Sequence, residues 1–318
     1  DSKGCTDTET VTIGEPSAVL SCSVVQNKAV TSNGLSDGEA TVTPLGGNGG
    51  YTYLWDNNET TQKALALSAG LHSVTVTDSK GCKTTCTVTI TEPNVLSCSI
   101  TQDDPAKCYG DNNGKATVVA IGGNGEYTYL WDNGETAAQA TGLTAGTHEV
   151  TVTDKLGYTT KCSVVIGQPQ APLTAAIDSK TDVNCKGDAT GSATASATGG
   201  NGTYSYSWNT VPVQTGATAS NLVAGTYIVT VTDSKGCTDT ETVIIDEPAN
   251  DLTAAIDSHV DVNCKGDATG SATASATGGT AGYSYSWNTV PVQTGATASN
   301  LVAGTYIVTV TDSKGCTD

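Results

Sequence analysis

Residues 226–245 read TYIVTVTDSKGCTDTETVII. Tyr227, Val229 and Val231 alternate with polar partners as far as Asp233, Gly236 supplies a turn, and Thr238–Ile245 runs on as a further strand. Successive side chains of a strand point to opposite faces, so apolar residues at period two followed by a glycine-bearing turn signal an antiparallel hairpin. The flanking segments carry the same grammar. Leu173–Ile177 is a short apolar run, and Gly191–Thr198 alternates small and polar residues. Gly199-Gly200-Asn201-Gly202 is a turn cluster, after which Tyr204, Tyr206 and Trp208 line one face of a strand. Thr218–Leu222 is a weaker strand, and Ala224-Gly225 turns into the hairpin. Helical periodicity appears nowhere. Six or seven short strands separated by turn signals predict an antiparallel β-sandwich.

The centre of that hairpin recurs. DSKGCTD occupies Asp1–Asp7, Asp233–Asp239 and Asp312–Asp318, with DSKGC at Asp78–Cys82 and a worn copy, DKLGY, at Asp154–Tyr158. Successive starts are 77, 76, 79 and 79 residues apart, an internal repeat that sets the domain organisation. Asp1–Pro16 reads as the tail of a preceding repeat, followed by repeats at Ser17–Pro93, Asn94–Pro169, Gln170–Pro248 and Ala249–Asp318, the last short of its final strand. Because the chain begins and ends inside one motif, it reads as a window on a longer tandem array. Leu173–Asp239 and Leu252–Asp318 differ at only five positions, so the third and fourth repeats are near copies. Each junction carries a proline: Glu15-Pro16, Glu92-Pro93, Gln168-Pro169 and Glu247-Pro248. Short linkers stiffened by proline predict a tandem array of Ig-like sandwiches forming an extended rod.

Composition narrows the function. The net charge is −18 and all 14 basic residues are lysine, which argues against a nucleic-acid partner. No apolar run is long enough to span a membrane. Eleven cysteines in a chain rich in Thr, Gly and Ser point to an oxidising, extracellular setting. Nothing combines a nucleophile, a base and a pocket-forming pattern, so no enzyme is expected.

The combination of a Cys-containing turn, Gly199-Gly200, the YxYxW strand Tyr204–Trp208, the block Leu222–Cys237 and the ending Thr242–Pro248 resembles the SprB repeat, named after a large surface adhesin of gliding bacteria. The resemblance covers the whole chain, four times over. It implies a secreted, cell-surface, tandem-repeat protein and supplies no catalytic residues. Ser32 and Tyr158 depart from it, standing where cysteine is expected.

Aligned, the cysteines fall into columns. The first strand holds Cys22 and Cys98 where later repeats have Ala175 and Ala254. The last strand holds Cys86 and Cys162 where the third repeat has Glu241. These columns come and go together, which predicts Cys22–Cys86 and Cys98–Cys162. The loop after the first strand holds Ser32, Cys108, Cys185 and Cys264; the DSKGC turn holds Cys82, Tyr158, Cys237 and Cys316. Pairing each loop with the turn of the next repeat sets Ser32 against Tyr158, both without sulfur, and predicts Cys108–Cys237 and Cys185–Cys316. Cys5, Cys82 and Cys264 then pair outside the window or with a neighbouring copy. Pairing within a repeat (Cys185–Cys237, Cys264–Cys316) and the offset Cys82–Cys108 with Cys237–Cys264 remain alternatives, since connectivity does not follow from sequence alone.

Other sites have plainer readings. Cys82 and Cys86 are spaced like the start of a zinc site, but half-cystines account for them. His72, His148 and His259 share no constellation. Asp37, Asp111, Asp188 and Asp267 lie in the loops facing the next repeat, and Asp78, Asp154, Asp233 and Asp312 precede the last hairpin. Oxygen-rich junctions of this kind can take Ca2+, whereas aspartates in turns ordinarily bond their own backbone. The Tyr/Trp stripes would serve a sandwich core or, less simply, a sugar-stacking platform. Asn58 and Asn201 open glycosylation sequons. The expectation is a structural segment of a secreted surface fibre or stalk, stiffened by disulfides within and between domains. Its partners would be further copies of the repeat. The alternative is a multivalent adhesin whose repeats bind surface polysaccharide.

Overall fold

The computed structural model describes residues 2–318; Asp1, the first residue of the repeated motif, lies outside them. Every regular element is a strand. Module 1 comprises β1 (Ser21–Lys28), β2 (Gly38–Leu45), β3 (Thr52–Trp55), β4 (Lys63–Leu67), β5 (Gly70–Thr77) and β6 (Lys83–Ile90). Module 2 comprises β7 (Ser97–Asp104), β8 (Gly114–Ile121), β9 (Thr128–Trp131), β10 (Gln139–Leu143), β11 (Gly146–Thr153) and β12 (Thr159–Ile166). Module 3 comprises β13 (Thr174–Thr181), β14 (Gly191–Thr198), β15 (Ser205–Trp208), β16 (Thr218–Leu222), β17 (Gly225–Thr232) and β18 (Thr238–Ile245). Module 4 has five: β19 (Thr253–Val260), β20 (Gly270–Thr277), β21 (Ser284–Trp287), β22 (Thr297–Leu301) and β23 (Val308–Thr311).

Each of the first three modules holds two antiparallel three-stranded sheets, ordered first-second-fourth and third-fifth-sixth. Module 4 keeps the first sheet, β19-β20-β22, and has only β21-β23 in the second. The repeat therefore resembles an Ig-like unit built from six strands. Residues of both sheets share one core: in module 1, Ala40 and Val42 of β2 meet Trp55 of β3 and Val74 and Val76 of β5. Trp55, Trp131, Trp208 and Trp287 are each only 1% exposed, and each indole nitrogen donates to a backbone carbonyl of the segment that follows its strand, as Trp55 does to Thr61 at 2.9 Å and Trp208 to Gly216 at 3.0 Å. The aromatic stripes are core, as the period-two reading expects, and offer no exposed stacking face at the tryptophans.

The first strand is longer than its apolar run. β13 continues to Thr181 because a bulge between Ile177 and Ser179 resets its register on β14. The same bulge interrupts β1, β7 and β19. The extra residue is polar in every module, and its side chain accepts from a hydroxyl on the adjacent strand: Thr41 to Asn27 and Thr117 to Asp103 at 2.6 Å, Ser196 to Asp178 at 2.6 Å, Ser275 to Asp257 at 2.7 Å. A bulge breaks strict alternation by one residue, which hides the second half of the strand from a period-two reading.

By contacts the chain divides into two units. One holds residues up to Pro105 together with Asn112–Gly167; the other holds Ala106–Asp111 together with Gln168–Asp318. The loop that follows β7 thus belongs with the second unit.

Candidate functional site

No helix is long and apolar enough to cross a membrane among the described residues. Nor is any cluster of three or more His, Cys, Asp or Glu side chains arranged to hold a metal ion there. The structure instead concentrates its unusual chemistry where one module meets the next.

Within modules 1 and 2, Cys22 is bonded to Cys86 and Cys98 to Cys162, with Cα separations of 6.0 and 6.1 Å. β1 and β6 are edge strands of different sheets, so the first bridge ties the two sheets together along one side. In module 3 the same columns hold Ala175 and Glu241, and Asp239 takes over part of the tie by accepting from the Ala175 backbone N–H at 2.8 Å.

The second unit contains two further bridges, Cys108–Cys237 and Cys185–Cys316, with Cα separations of 5.7 and 5.6 Å. Each joins the loop after the first strand of one module to the β-hairpin turn of the following one. Cys82 and Cys264 are exposed and outside any disulfide.

The turn that presents Cys237 is shaped by one carboxylate. Asp233 is buried. Its Oδ1 accepts from the backbone N–H groups of Lys235 at 2.8 Å and Cys237 at 3.0 Å. Its Oδ2 accepts from the backbone N–H of Asn201 at 2.8 Å and from the Asn201 side-chain amide at 2.9 Å. Burial alone would raise this carboxyl; the Asn201 amide and the three backbone donors outweigh it and hold the pKa at about 2. The close approach needs glycine. A Cβ at Gly200, where φ is +57°, would lie 2.6 Å from Asp233 Oδ2, and one at Gly199 would lie 1.9 Å from the Pro172 carbonyl oxygen.

Asn201 then reaches out of its own module. Its amide nitrogen also donates to the Lys107 carbonyl at 2.9 Å, beside Cys108. In the first unit Asn124 does the same: it donates to Asp154 at 2.8 Å and to the Thr31 carbonyl at 2.9 Å. The Asn201 amide, the nitrogen of its glycosylation sequon, is thus engaged with two acceptors. Asn58, the other sequon, lies exposed in the turn after β3. In module 4 the position is Thr280, whose backbone N–H still donates to Asp312 at 2.8 Å.

The linkers contribute a third contact. The residue before each proline accepts from a backbone N–H of the preceding loop: Glu92 from Gly34 at 2.7 Å, Gln168 from Gly110 at 2.8 Å, Glu247 from Gly187 at 2.8 Å. The linker is thereby bound to the loop that carries the cysteine column.

Where sulfur is missing, hydroxyls take its place. The sequence sets Ser32 against Tyr158; the structure has Thr31, one residue earlier, meeting the Tyr158 hydroxyl at 2.9 Å. Thr31 donates its hydroxyl to Asp37 at 2.6 Å, and Asp37 also accepts from Lys28 at 2.9 Å. Tyrosine is long enough to pass the Ser32 column and reach the neighbouring side chain. Tyr158→Phe is expected to leave both modules folded and to weaken this junction by about 1 kcal/mol, read as faster hydrogen exchange of the Thr31–Asp37 loop alone.

Of the aspartates considered for Ca2+, Asp37 accepts from Thr31 and Lys28, and Asp78 from Asn48, Lys80 and Cys82. His72 and His148 are buried strand residues. Each lies 3.0 Å from an aspartate, Asp56 or Asp132, and 2.9 Å from a turn carbonyl, Ser68 or Thr144. Tyr227 bonds the equivalent carbonyl, Val223, at 3.0 Å in module 3. His259 stands apart on β19 and is exposed.

The SprB repeat family matches this chain at residues 30–60, 101–136, 177–213 and 257–292. Each segment runs through the loop after the first strand to the Trp strand and the turn beyond it. The hairpin block, Leu222–Cys237 in module 3, falls outside the match, so the resemblance is narrower than the full repeat. No curated protein sequence matches the chain. Among solved structures, the three N-terminal domains of the bacteriophage RB49 Highly Immunogenic Outer Capsid protein align at 14% identity, covering 90% of this chain and 100% of that one, with a TM-score of 0.36. A tetra-tandem repeat from the extending region of a large adhesion protein aligns at 12% identity over 94% and 98%, with a TM-score of 0.30. Neither carries weight at that level. The SprB repeat thus matches once inside each of the four modules of this all-β, disulfide-bonded tandem-repeat chain.

Proposed function

We propose that the chain is a structural segment of a cell-surface fibre or stalk, in which each repeat is a closed Ig-like β-sandwich and successive repeats are locked in series. Pro16, Pro93, Pro169 and Pro248 mark the module edges in this reading, and the extended-rod expectation from the sequence belongs to the same proposal. One observation carries it: at each of the three junctions the loop of one module is bonded to the hairpin turn of the next, through Thr31 and Tyr158, Cys108 and Cys237, or Cys185 and Cys316. Locking each junction favours load transmission over independent, freely swivelling binding heads. The tryptophans support the same reading, because the indole that recurs in every repeat is buried and unavailable to a sugar.

The adhesin reading makes an opposite prediction. Titration of the oxidised chain with surface polysaccharide in a calorimeter is expected to show no saturable heat at protein concentrations of about 100 μM, well above the affinity that multivalent repeats need singly. Saturable binding would move the function from the junctions to the module faces.

A further inference from the structure

Modules 3 and 4 differ from modules 1 and 2 in the loop that follows the Trp strand. The indoles of Trp55 and Trp131 donate to a carbonyl six residues on, whereas Trp208 and Trp287 reach eight residues on, to Gly216 and Gly295. The longer loop reads Thr210-Val211-Pro212-Val213-Gln214, repeated as Thr289-Val290-Pro291-Val292-Gln293. Val211 and Val290 are fully exposed, and Val213 and Val292 are more than half exposed. The tip is held out from below. The buried Thr210 donates its hydroxyl to the Pro212 carbonyl at 2.8 Å and accepts from the Gln214 N–H at 3.0 Å. The Gln214 side chain in turn donates to the Ser220 carbonyl and accepts from the Ser220 N–H, each at 2.9 Å. Module 4 repeats all four bonds through Thr289 and Gln293. A pinned loop that carries stiff, β-branched side chains has little freedom left to lose on binding.

Charge narrows what such a tip can meet. No charged residue occurs between Asp188 and Asp233, nor between Asp267 and Asp312. The turn at the same place in module 1 holds Asp56 and Glu59, and in module 2 Asp132 and Glu135. In a chain of net charge −18, a cationic partner is drawn to the carboxylates elsewhere. A sugar is met by aromatic rings, which the tip lacks. A bilayer surface is entered by Trp, Phe and Leu more than by Val and Pro. An uncharged aliphatic tip suits a partner that the rest of the chain repels, and another chain of the same negative charge is such a partner.

We propose that Val211-Pro212-Val213 and Val290-Pro291-Val292 are lateral contacts between copies of this chain, tip packing on tip, so that copies associate side by side. The contact is isologous, the same patch serving both chains. Each tip is small, so a single pair binds weakly, and tips on successive modules add to one another by avidity. The lateral contact stands apart from whether the junctions within one chain bear load.

Its test is sedimentation of the full oxidised chain over a concentration series, with exposed thiols capped by iodoacetamide. Reversible association is expected, and it should strengthen as added salt screens the residual repulsion between chains. Val211→Asp combined with Val290→Asp should raise the dissociation constant at least about tenfold, the loss of the central anchor of each tip. Both positions are fully exposed, so the modules stay folded. Val119→Asp combined with Val165→Asp adds the same charge at exposed positions of module 2 and should leave association unchanged. A monomer at every concentration up to about 1 mM would overturn the proposal. So would association that salt weakens, that ignores the tip pair, or that falls equally with both pairs. Tip-dependent binding to phosphatidylcholine vesicles in place of self-association would overturn it as well, by assigning the tips to a lipid surface.

Discussion

Pulled from its two ends until every strand is extracted, the oxidised chain is expected to lengthen to about 200 Å, against roughly 1,100 Å after reduction, at about 3.4 Å per stretched residue. The disulfides overlap along the sequence, so tension bypasses most of the backbone. The shortest covalent route passes from Cys22 to Cys86, from Cys98 to Cys162 and from Cys185 to Cys316, leaving roughly 60 residues to extend. Cys185→Ser forces the route through Cys108–Cys237 instead and should roughly double the length, to about 430 Å. Cys237→Ser should leave the length unchanged, because its bridge lies off the shortest route. Pairing within repeats would give about 300 Å. Single-molecule pulling with and without reductant separates these lengths, and a full-length extension without reductant would mean that the bridges do not carry load. Closing loops of 129 and 131 residues also restricts the unfolded chain, by about 4–5 kcal/mol each in the chain-entropy account.

The cysteine columns make clear how much of this the sequence expresses. Covalent pairs leave a record because losing one partner strands the other: Cys22 and Cys86 vanish together from module 3, and Ser32 and Tyr158 lose sulfur together across a junction. Apolar alternation is equally plain in Thr226–Asp233, since that strand pairs on both sides without a bulge. Hydrogen bonds leave a weaker trace. Asn201 reads as one more turn residue, and only the fold shows that its amide reaches Lys107. The recurrence of Gly-Gly-Asn, paired with an aspartate some 30 residues later at Asp78, Asp154 and Asp233, was the available signal. The Glu or Gln before each linker proline is similar, hidden because proline alone accounts for a linker. Thr31 rather than Ser32 meets Tyr158 because side-chain length, which column alignment ignores, decides reach.

Replacing Asp233 by alanine should be the most damaging single polar substitution in module 3. It removes the acceptor of three backbone N–H groups and of the Asn201 amide at once. Stranded buried donors cost about 1–3 kcal/mol each before water reaches them, so a total of about 3–5 kcal/mol is expected. A module of this size has only about 4–12 kcal/mol in all. Asp233→Asn keeps one acceptor oxygen and should cost less. The pH dependence distinguishes the carboxylate from mere packing. A folded pKa of about 2 lies below the ordinary aspartate value of 3.8, so the stabilisation is complete above pH 4 and is lost as pH falls through 2. Hydrogen exchange of the Asn201 and Cys237 amides should therefore accelerate in that window beyond the intrinsic effect of acid. In Asp233→Asn the same amides should exchange faster at neutral pH and show no further loss between pH 4 and 2. Since the turn also presents Cys237 to Cys108, its loosening should appear as slower oxidative closure of that bridge, which couples one buried carboxylate to the junction it orders.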